Sequence, residues 1–349
     1  MRKRIVTGVS VFGVALLSTV ALSGQATPPR PSAGAAAGTR VPRTPDGKPD
    51  LQGIWDFRTV TPMERPAEFA NKPFLTEQEA AEYEKRMTEQ RNADANRDES
   101  KKTSRGQVNG TEVTADVALA YNDFWWDRGT KVIGSRRTSL VIDPPDGRIP
   151  AMTPAARARV EKLDAARERL AEGPEDRSVG ERCLLGFNAG PPFAPGGYNM
   201  NIQIVQTPKS VMLMNEMVHT ARIIPMDSRP FLNLPQWVGT SRGRWEGDTL
   251  VVETKGFKGE TSFRGSSPSL HLIERFTRTN AETLVYQFTA TDPATWVRPF
   301  TVEIPLRRTD DQIFEYACHE ANYGMTNLLQ GARAVEREGA TRTTSASRQ

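Results

Sequence analysis

The sequence predicts a mainly β protein, an antiparallel meander forming a barrel or a two-sheet sandwich, with two peripheral amphipathic helices. Three observations lead to this prediction. From residue 201 onward, runs rich in branched and aromatic residues recur about every 8 to 14 residues. Polar turn formers such as Glu246-Gly247-Asp248 separate the runs. Within a run, apolar and polar side chains alternate, which indicates one buried face and one wet face.

The strand predictions follow the chain in order. The first plausible strand contains Gly53-Ile54-Trp55, and confident strands begin near residue 201. Many sequential antiparallel strands favour a barrel or sandwich, because closure removes exposed edges. The predicted strands cover residues 202–206, 211–218, 221–225, 249–255, 270–279, 283–290, 300–307 and 313–316.

Two charged segments predict surface helices. Residues 76–92 begin with a Thr76 and Glu79 capping box, and residues 153–171 begin with Thr153-Pro154, which places proline at the first helical position. Both segments have narrow apolar stripes. We therefore expect each helix to dock on the β domain rather than form its core.

The first 26 residues predict a secretory signal peptide. Arg2, Lys3 and Arg4 precede an apolar run at 5–22, and small residues follow it. A transmembrane anchor is the alternative, since the run approaches the length needed to cross a bilayer. Glycines and serines dilute the run, and small-residue cleavage sites follow at once, so we expect a periplasmic or secreted protein with no membrane partner after cleavage.

The rest of the chain predicts one domain between two polar segments. Residues 27–45 are rich in proline, alanine and glycine and predict a disordered linker, and residues 336–349 predict a disordered tail. A single β-rich domain is expected over 46–335. Without the leader's three basic residues the formal charge falls from +4 to +1, so we expect no nucleic-acid partner.

The chain has two cysteines, Cys183 and Cys318. An oxidising compartment favours a disulfide between them. Such a bridge stabilises by roughly 4 to 5 kcal/mol in the chain-entropy model. Two buried thiols are the alternative, because the sequence does not show that the two Cα atoms come within bridging distance.

Several blocks carry a resemblance to known proteins. Gly53-Ile54-Trp55 resembles the Gly-x-Trp of lipocalin-like barrels, whose tryptophan plugs the closed end. A longer likeness is to a family of exported bacterial proteins of unknown function, common in acidobacteria. This resemblance implies a shared fold and no particular activity. The blocks that carry it lie at residues 45–55, 143–150, 242–250 and 316–320.

The three histidines are His219, His271 and His319, and each lies near a carboxylate. Three imidazoles with a carboxylate can bind a divalent metal. They can also serve as general acid and base with Glu216 or Glu320. A neutral histidine paired with a carboxylate is commonly structural, however, so we expect no cofactor and keep a divalent metal as the alternative.

Glu216 stands in the nearly continuous apolar run 211–218, which is typical of a strand buried on both faces. Strand alternation places it among methionines, where a lone carboxylate has a raised pKa. One interpretation is an acid or base in an apolar cavity. The other is an ion pair with Arg222 or another cation, because buried charges are usually paired.

Tryptophans and arginines form a second candidate set. They can line a site for a planar or anionic ligand, or they can close the ends of a barrel. The Gly/Pro-rich segment 183–198 is a loop that could cap such a cavity. The candidate ligand-binding residues are Trp125, Trp126, Arg136, Trp237, Arg242 and Trp245.

Two functions remain from the sequence. The first is binding of an apolar or aromatic small molecule inside the barrel. The alternative is a hydrolase, lyase or isomerase that uses Glu216, His219, His319 and Glu320, with or without a metal.

Overall fold

The computed structural model describes residues 40–92, 94–95, 105–108, 111–114, 123–259, 263–320 and 322–346. The predicted signal peptide and the linker up to residue 39 lie outside these residues. The helices are α1 (Glu77–Arg91), α2 (Pro154–Glu168) and α3 (Tyr323–Ala346). The strands are β1 (Gly53–Asp56), β2 (Arg105–Val108), β3 (Thr111–Thr114), β4 (Val141–Asp143), β5 (Asn201–Gln206), β6 (Ser210–Asn215), β7 (Ala221–Pro225), β8 (Thr240–Glu246), β9 (Thr249–Lys255), β10 (His271–Arg278), β11 (Thr283–Thr291) and β12 (Phe300–Thr309).

Ten strands form one antiparallel sheet, which confirms the mainly β prediction. Its order is β7-β6-β5-β1-β12-β11-β10-β9-β8, and β4 pairs with the first half of β12. Two meanders, β5 to β7 and β8 to β12, are therefore joined through β1, which pairs with both β5 and β12. The sheet is not closed into a barrel, because β7 and β8 do not pair with each other.

The alternating pattern of the long strands buries one face of the sheet. In β11 the residues Leu284, Tyr286 and Phe288 are fully buried, and β12 alternates in the same way. Aromatic rings fill the enclosed space: the ring of Phe193 stacks on Tyr286 at 3.9 Å between centroids, and Phe57 and Phe276 pack around this pair. The sheet therefore encloses a packed core.

The two end strands meet without hydrogen bonding. A Cβ atom at Gly243 of β8 would lie 2.4 Å from the Met226 sulfur and 3.0 Å from a methyl of Ile224 on β7. Any larger residue at 243 would force the two edges apart. The seam between β7 and β8 is thus held by side-chain packing.

A buried ion pair crosses the interior behind this seam. Arg222 of β7 donates two hydrogen bonds, of 2.7 and 2.9 Å, to the carboxylate of Glu274 on β10. The same carboxylate accepts from the Tyr286 hydroxyl at 2.9 Å and from Thr254 at 3.4 Å. Burial, followed by the neighbouring carboxylate, raises the pKa of Tyr286 well above its usual range, so its hydroxyl stays protonated and donates.

Trp55 belongs to the buried core. Its ring is fully buried and its Nε1 donates to the Leu51 carbonyl at 2.9 Å. The guanidinium of Arg278 lies over this ring at 5.1 Å and donates to the carbonyls of Asn280 and Ala281. An arginine therefore covers this buried tryptophan.

Both predicted helices are present. Thr76 caps α1 through the expected box with Glu79, and Thr153 caps α2 through the Ala156 amide. In α1 only Ala80 and Tyr83 are buried, and both belong to its narrow apolar stripe. No helix in the described part of the chain is long and apolar enough to cross a membrane.

Several boundaries differ from the sequence predictions: the strand predicted over 211–218 ends at Asn215, and β8 was not predicted. Residues 313–316 are not a strand, because the chain leaves the sheet after Thr309. Helix α3 occupies much of the segment predicted as a disordered tail, and Arg333 ties it to the Ala171 and Glu172 carbonyls. The ordered domain also begins before residue 46, since Arg43 forms a salt bridge with Asp248 at 2.5 Å.

Removing one partner of the interior ion pair should strongly destabilise the fold. Arg222→Met leaves the fully buried Glu274 carboxylate without its cation, and we expect a loss of about 3 to 5 kcal/mol in the free energy of unfolding. Urea denaturation of the purified domain measures this loss. The matched control is Arg275→Met. Arg275 lies on the wet face of β10, next to Glu274, and its exposed salt bridge with Glu246 is worth less than about 1 kcal/mol.

The double variant Arg222→Met with Glu274→Leu separates charge from packing. We expect it to recover a large part of the lost stability, because no buried charge remains unpaired. Equal losses in Arg222→Met and Arg275→Met would contradict this account of the seam.

Candidate functional site

A surface cleft of about 580 Å³ lies where β1, β6 and β12 end and β5 begins. We call it the aromatic cleft. Its walls come from the segment after β1, residues 124–127, the loop leading into β5 and the irregular segment after β12. The described residues that line it are Arg58, Phe124, Trp125, Asp127, Tyr198, Asn199, Asn201, Glu216, Asp311, Gln312, Phe314, Glu315 and Tyr316.

Glu216 forms the floor of the aromatic cleft. It is only 2% exposed, and its carboxylate accepts hydrogen bonds from the Asn201 side chain and the Phe314 backbone amide, both at 3.1 Å. In the described part of the chain its carboxylate forms no salt bridge. A carboxylate offers about four lone-pair positions, so two stay open for another donor.

The predicted ion pair of Glu216 with Arg222 is wrong. Strand β6 ends at Asn215, and Glu216 turns into the helical region, so the strand alternation used to place it fails. Arg222 instead points into the core and pairs with Glu274.

The backbone after Glu216 is strained. Val218 and His219 have φ values of 56° and 48°, in the left-handed region that a β-branched residue such as valine rarely adopts. The Glu216 amide donates to the Asn201 carbonyl at 2.9 Å, and this bond holds the turn against β5. Strain of this kind persists only where surrounding contacts over-determine it, and it clusters at functional sites.

Aromatic rings form the walls of the aromatic cleft. Tyr198 and Tyr316 stack with centroids 6.2 Å apart, and Phe124 meets Trp125 edge to face at 5.3 Å. Phe124, Trp125 and Phe314 are 84%, 59% and 64% exposed. Large apolar side chains this exposed and this close together are typical of a binding surface.

A salt-bridge network supports the rim. Arg58 contacts Asp56 at 2.8 Å, Asp127 at 2.6 Å and Asp311 at 3.4 Å, and so ties three chain segments together. Burial acts to raise the pKa of Asp56, but hydrogen bonds from Arg58 and Arg307 outweigh it and hold that pKa below its ordinary value. Both Asp56 and Arg58 therefore stay charged at neutral pH.

The predicted disulfide is present. Cys183 and Cys318 are bonded, with their Cα atoms 5.7 Å apart. The bridge joins the loop segment after α2 to the irregular segment after β12, two residues beyond Tyr316, rather than to a last strand. It therefore holds the Phe314 and Tyr316 wall of the aromatic cleft against the loop that carries Tyr198.

The predicted catalytic residues do not assemble around Glu216. His219 follows it on the strained turn and does not line the cleft, and His319 and Glu320 lie exposed beyond the disulfide. His271 pairs with Glu253 at 3.0 Å on the wet face of β10. Among the described residues, no group of three or more histidine, cysteine, aspartate or glutamate side chains is placed to hold a metal ion.

The predicted ligand-binding residues divide between the cleft and other places. Trp125 lines the cleft, and Trp126 adjoins it through Tyr198, with Arg128 over its ring at 3.8 Å. Trp237 packs under Lys258 at 4.5 Å, and Trp245 lies against the core under Lys48 at 5.7 Å.

The two predicted arginines are engaged elsewhere. Arg242 donates to the carbonyls of Arg229 and Pro230, and Arg136 donates to the Leu75 carbonyl. Neither side chain lines the aromatic cleft.

A larger neighbouring cleft of about 680 Å³ shares Arg58 and Asp127 with the aromatic cleft. Its described lining is rich in charged side chains, half of them from residues 123–131. Its buried carboxylate, Asp56, already pairs with Arg58 and Arg307, and no large aromatic side chain in its described lining is exposed. The aromatic cleft is therefore the stronger candidate for a ligand site.

Compared with known proteins, the chain matches no family model, no curated protein and no solved structure. The resemblance to exported bacterial proteins stays a prediction, and the case for a function depends on the geometry of the cleft.

Sequence reasoning missed Arg58, Asn201, Phe314 and Tyr316. The composition of residues 313–316 predicts a strand, and a strand there would not place these side chains in a cleft. The available signal was the short distance along the chain from Tyr316 to Cys318, because a bridge to Cys183 brings Tyr316 to the loop that ends at Tyr198.

The Asp56 network predicts a pH-dependent loss of stability. The pKa of folded Asp56 lies below its ordinary value of 3.8, so the carboxylate stabilises the fold above about pH 4, and this contribution is lost as the pH falls through the folded-state pKa. We expect Asp56→Asn to be less stable than wild type at pH 6, and the difference to shrink as the pH falls from 4 toward 2. Urea denaturation across this range measures the difference.

The control for this experiment is Asp310→Asn, an exposed aspartate near the same rim. It should differ little from wild type at every pH. A stability difference for Asp56→Asn that stays constant from pH 6 to pH 2 would count against the proposed ionisation.

Proposed function

We propose that this protein binds a small molecule with an apolar or aromatic body in the aromatic cleft. The observation that carries the proposal is the combination of three exposed rings with a buried carboxylate beneath them. Binding clefts of several hundred Å³ commonly have apolar walls with a few polar groups that orient the ligand. The aromatic cleft has this composition.

The site proposed here lies outside the core. Side chains such as Phe193, Tyr286 and Phe276 fill the space enclosed by the sheet. A ligand in the space enclosed by the sheet would have to displace these packed rings. The open end of the sheet, by contrast, presents rings that already face solvent.

We further propose that the protein works in the periplasm or outside the cell. The predicted signal peptide and the Cys183–Cys318 disulfide support this location, because disulfides persist mainly in oxidising compartments.

Catalysis by Glu216 is a second candidate. The carboxylate is buried, has open lone pairs and lies at a cleft, which suits a general base in a hydrolase. We expect Glu216→Gln to slow any hydrolysis of p-nitrophenyl butyrate, an ester with an aromatic body, by about 10²-fold or more. Equal rates for wild type and the variant would exclude Glu216 as the base for this ester.

Binding itself is tested with tryptophol, a neutral alcohol with an indole ring. We expect wild type to bind it and the double variant Trp125→Ala with Phe314→Ala to bind it about tenfold more weakly, because each aromatic contact is worth about 0.5 to 1.5 kcal/mol. Titration followed by NMR of the ligand resonances gives the dissociation constants.

The matched control is Phe74→Ala. Phe74 is also half exposed but does not line the cleft, so its removal should leave the affinity unchanged. Equal affinities in wild type and the double variant would contradict the proposed site.

A further inference from the structure

The aromatic cleft carries mainly negative charge. Its described lining holds four carboxylates, those of Asp127, Glu216, Asp311 and Glu315, and one cationic side chain, Arg58. That arginine is already engaged by Asp127 and Asp311 and by the buried Asp56 behind them. The cleft therefore has an excess of three negative charges, which favours a positively charged occupant.

Two buried side chains at the floor have hydrogen-bond acceptor positions that no donor among the described residues fills. Asn201 is 7% exposed, and its Oδ1 is buried without a partner among the described residues, while its Nδ2 donates to Glu216. A buried polar atom without a partner is costly, so it marks a place where a partner is missing. The open lone pairs of Glu216 lie beside it. A ligand that brings N–H groups would satisfy both residues.

The walls suit the same chemistry. The faces of aromatic rings carry negative electrostatic potential, and tryptophan and tyrosine attract organic cations most strongly. Tyr198, Tyr316 and Trp125 surround an acidic floor, so ring attraction and charge attraction act in the same direction. Anionic aromatic compounds would meet these carboxylates, and the one cation in the described lining, Arg58, is already paired.

We propose that the ligand of the aromatic cleft is an organic cation, a protonated amine attached to an apolar or aromatic body. The ammonium group lies at Glu216 and Asn201, and the body packs between the rings. This inference rests on the proposed binding function and specifies the chemical class of its ligand.

Three probes with one ring system and different charge test the inference. Tryptamine carries an ammonium group, tryptophol is neutral and indole-3-acetate carries a carboxylate. In isothermal titration of wild type at pH 7, we expect tryptamine to bind at least tenfold more tightly than tryptophol, and indole-3-acetate to bind more weakly than either. Added sodium chloride should weaken the binding of tryptamine and leave the affinity for tryptophol nearly unchanged.

Glu216→Gln tests whether the Glu216 carboxylate binds the ammonium group. The glutamine keeps the shape of the side chain, its carbonyl oxygen accepts from the Phe314 amide, and its amide donates to Asn201 once that side chain rotates to present Oδ1. We expect the tryptamine affinity to fall to within about threefold of tryptophol, and the tryptophol affinity to stay the same. The matched control Glu320→Gln removes an exposed carboxylate outside the cleft and should change neither.

The outcomes separate this inference from the function on which it rests. If tryptamine and tryptophol bind equally, and Trp125→Ala with Phe314→Ala weakens both, the cleft binds aromatic molecules and the cation inference is overturned. If none of the probes binds wild type, both are overturned. A tryptamine preference that survives in Glu216→Gln overturns the role of Glu216 as the receptor.

Discussion

The ion pair between Arg222 and Glu274 is the interaction on which the open sheet depends. Strands β7 and β8 end the sheet and do not pair, so no backbone ladder holds the two sides of the seam together. Arg222 reaches from β7 across the interior to β10, and the Tyr286 hydroxyl of β11 bonds to the same carboxylate. The pair thus links one end of the sheet to strands near the other. Two hydrogen bonds from the Arg222 guanidinium and one from the Tyr286 hydroxyl offset the desolvation of the Glu274 carboxylate.

The same fold produces the aromatic cleft where β1, β6 and β12 end and β5 begins, and the segments that follow β1 and β12 there are irregular. Arg58 ties the rim segments together by salt bridges, and the Cys183–Cys318 disulfide fixes the segment after β12. The rings of the aromatic cleft are therefore exposed on a rigid support. A site of this kind needs little reorganisation when it binds a ligand.

Local patterns predicted the parts of the fold in which one rule acts alone. Alternation identified the buried faces of β11 and β12. The Thr76 capping box and the Thr153-Pro154 pair placed the starts of α1 and α2 at the correct residues. The failures came where tertiary contacts overrule local propensity. Residues 313–316 have the composition of a strand, but the Phe314 amide donates to the Glu216 side chain instead of a neighbouring strand.

The sequence by itself determined the mainly β fold, the two capped helices, the two cysteines able to pair and the suspicion that Glu216 is special. These follow from periodicity, capping chemistry and composition, which are local properties of the chain. Tertiary structure alone decided which carboxylate pairs with Arg222. Glu274 forms that ion pair, and Glu216 accepts hydrogen bonds from Asn201 and a backbone amide instead. It also decided which rings share a cleft, because Trp125, Tyr198, Glu216 and Phe314 lie on segments far apart along the chain. Such contacts are set by register and loop path, and one residue's shift in either moves a side chain to the other face.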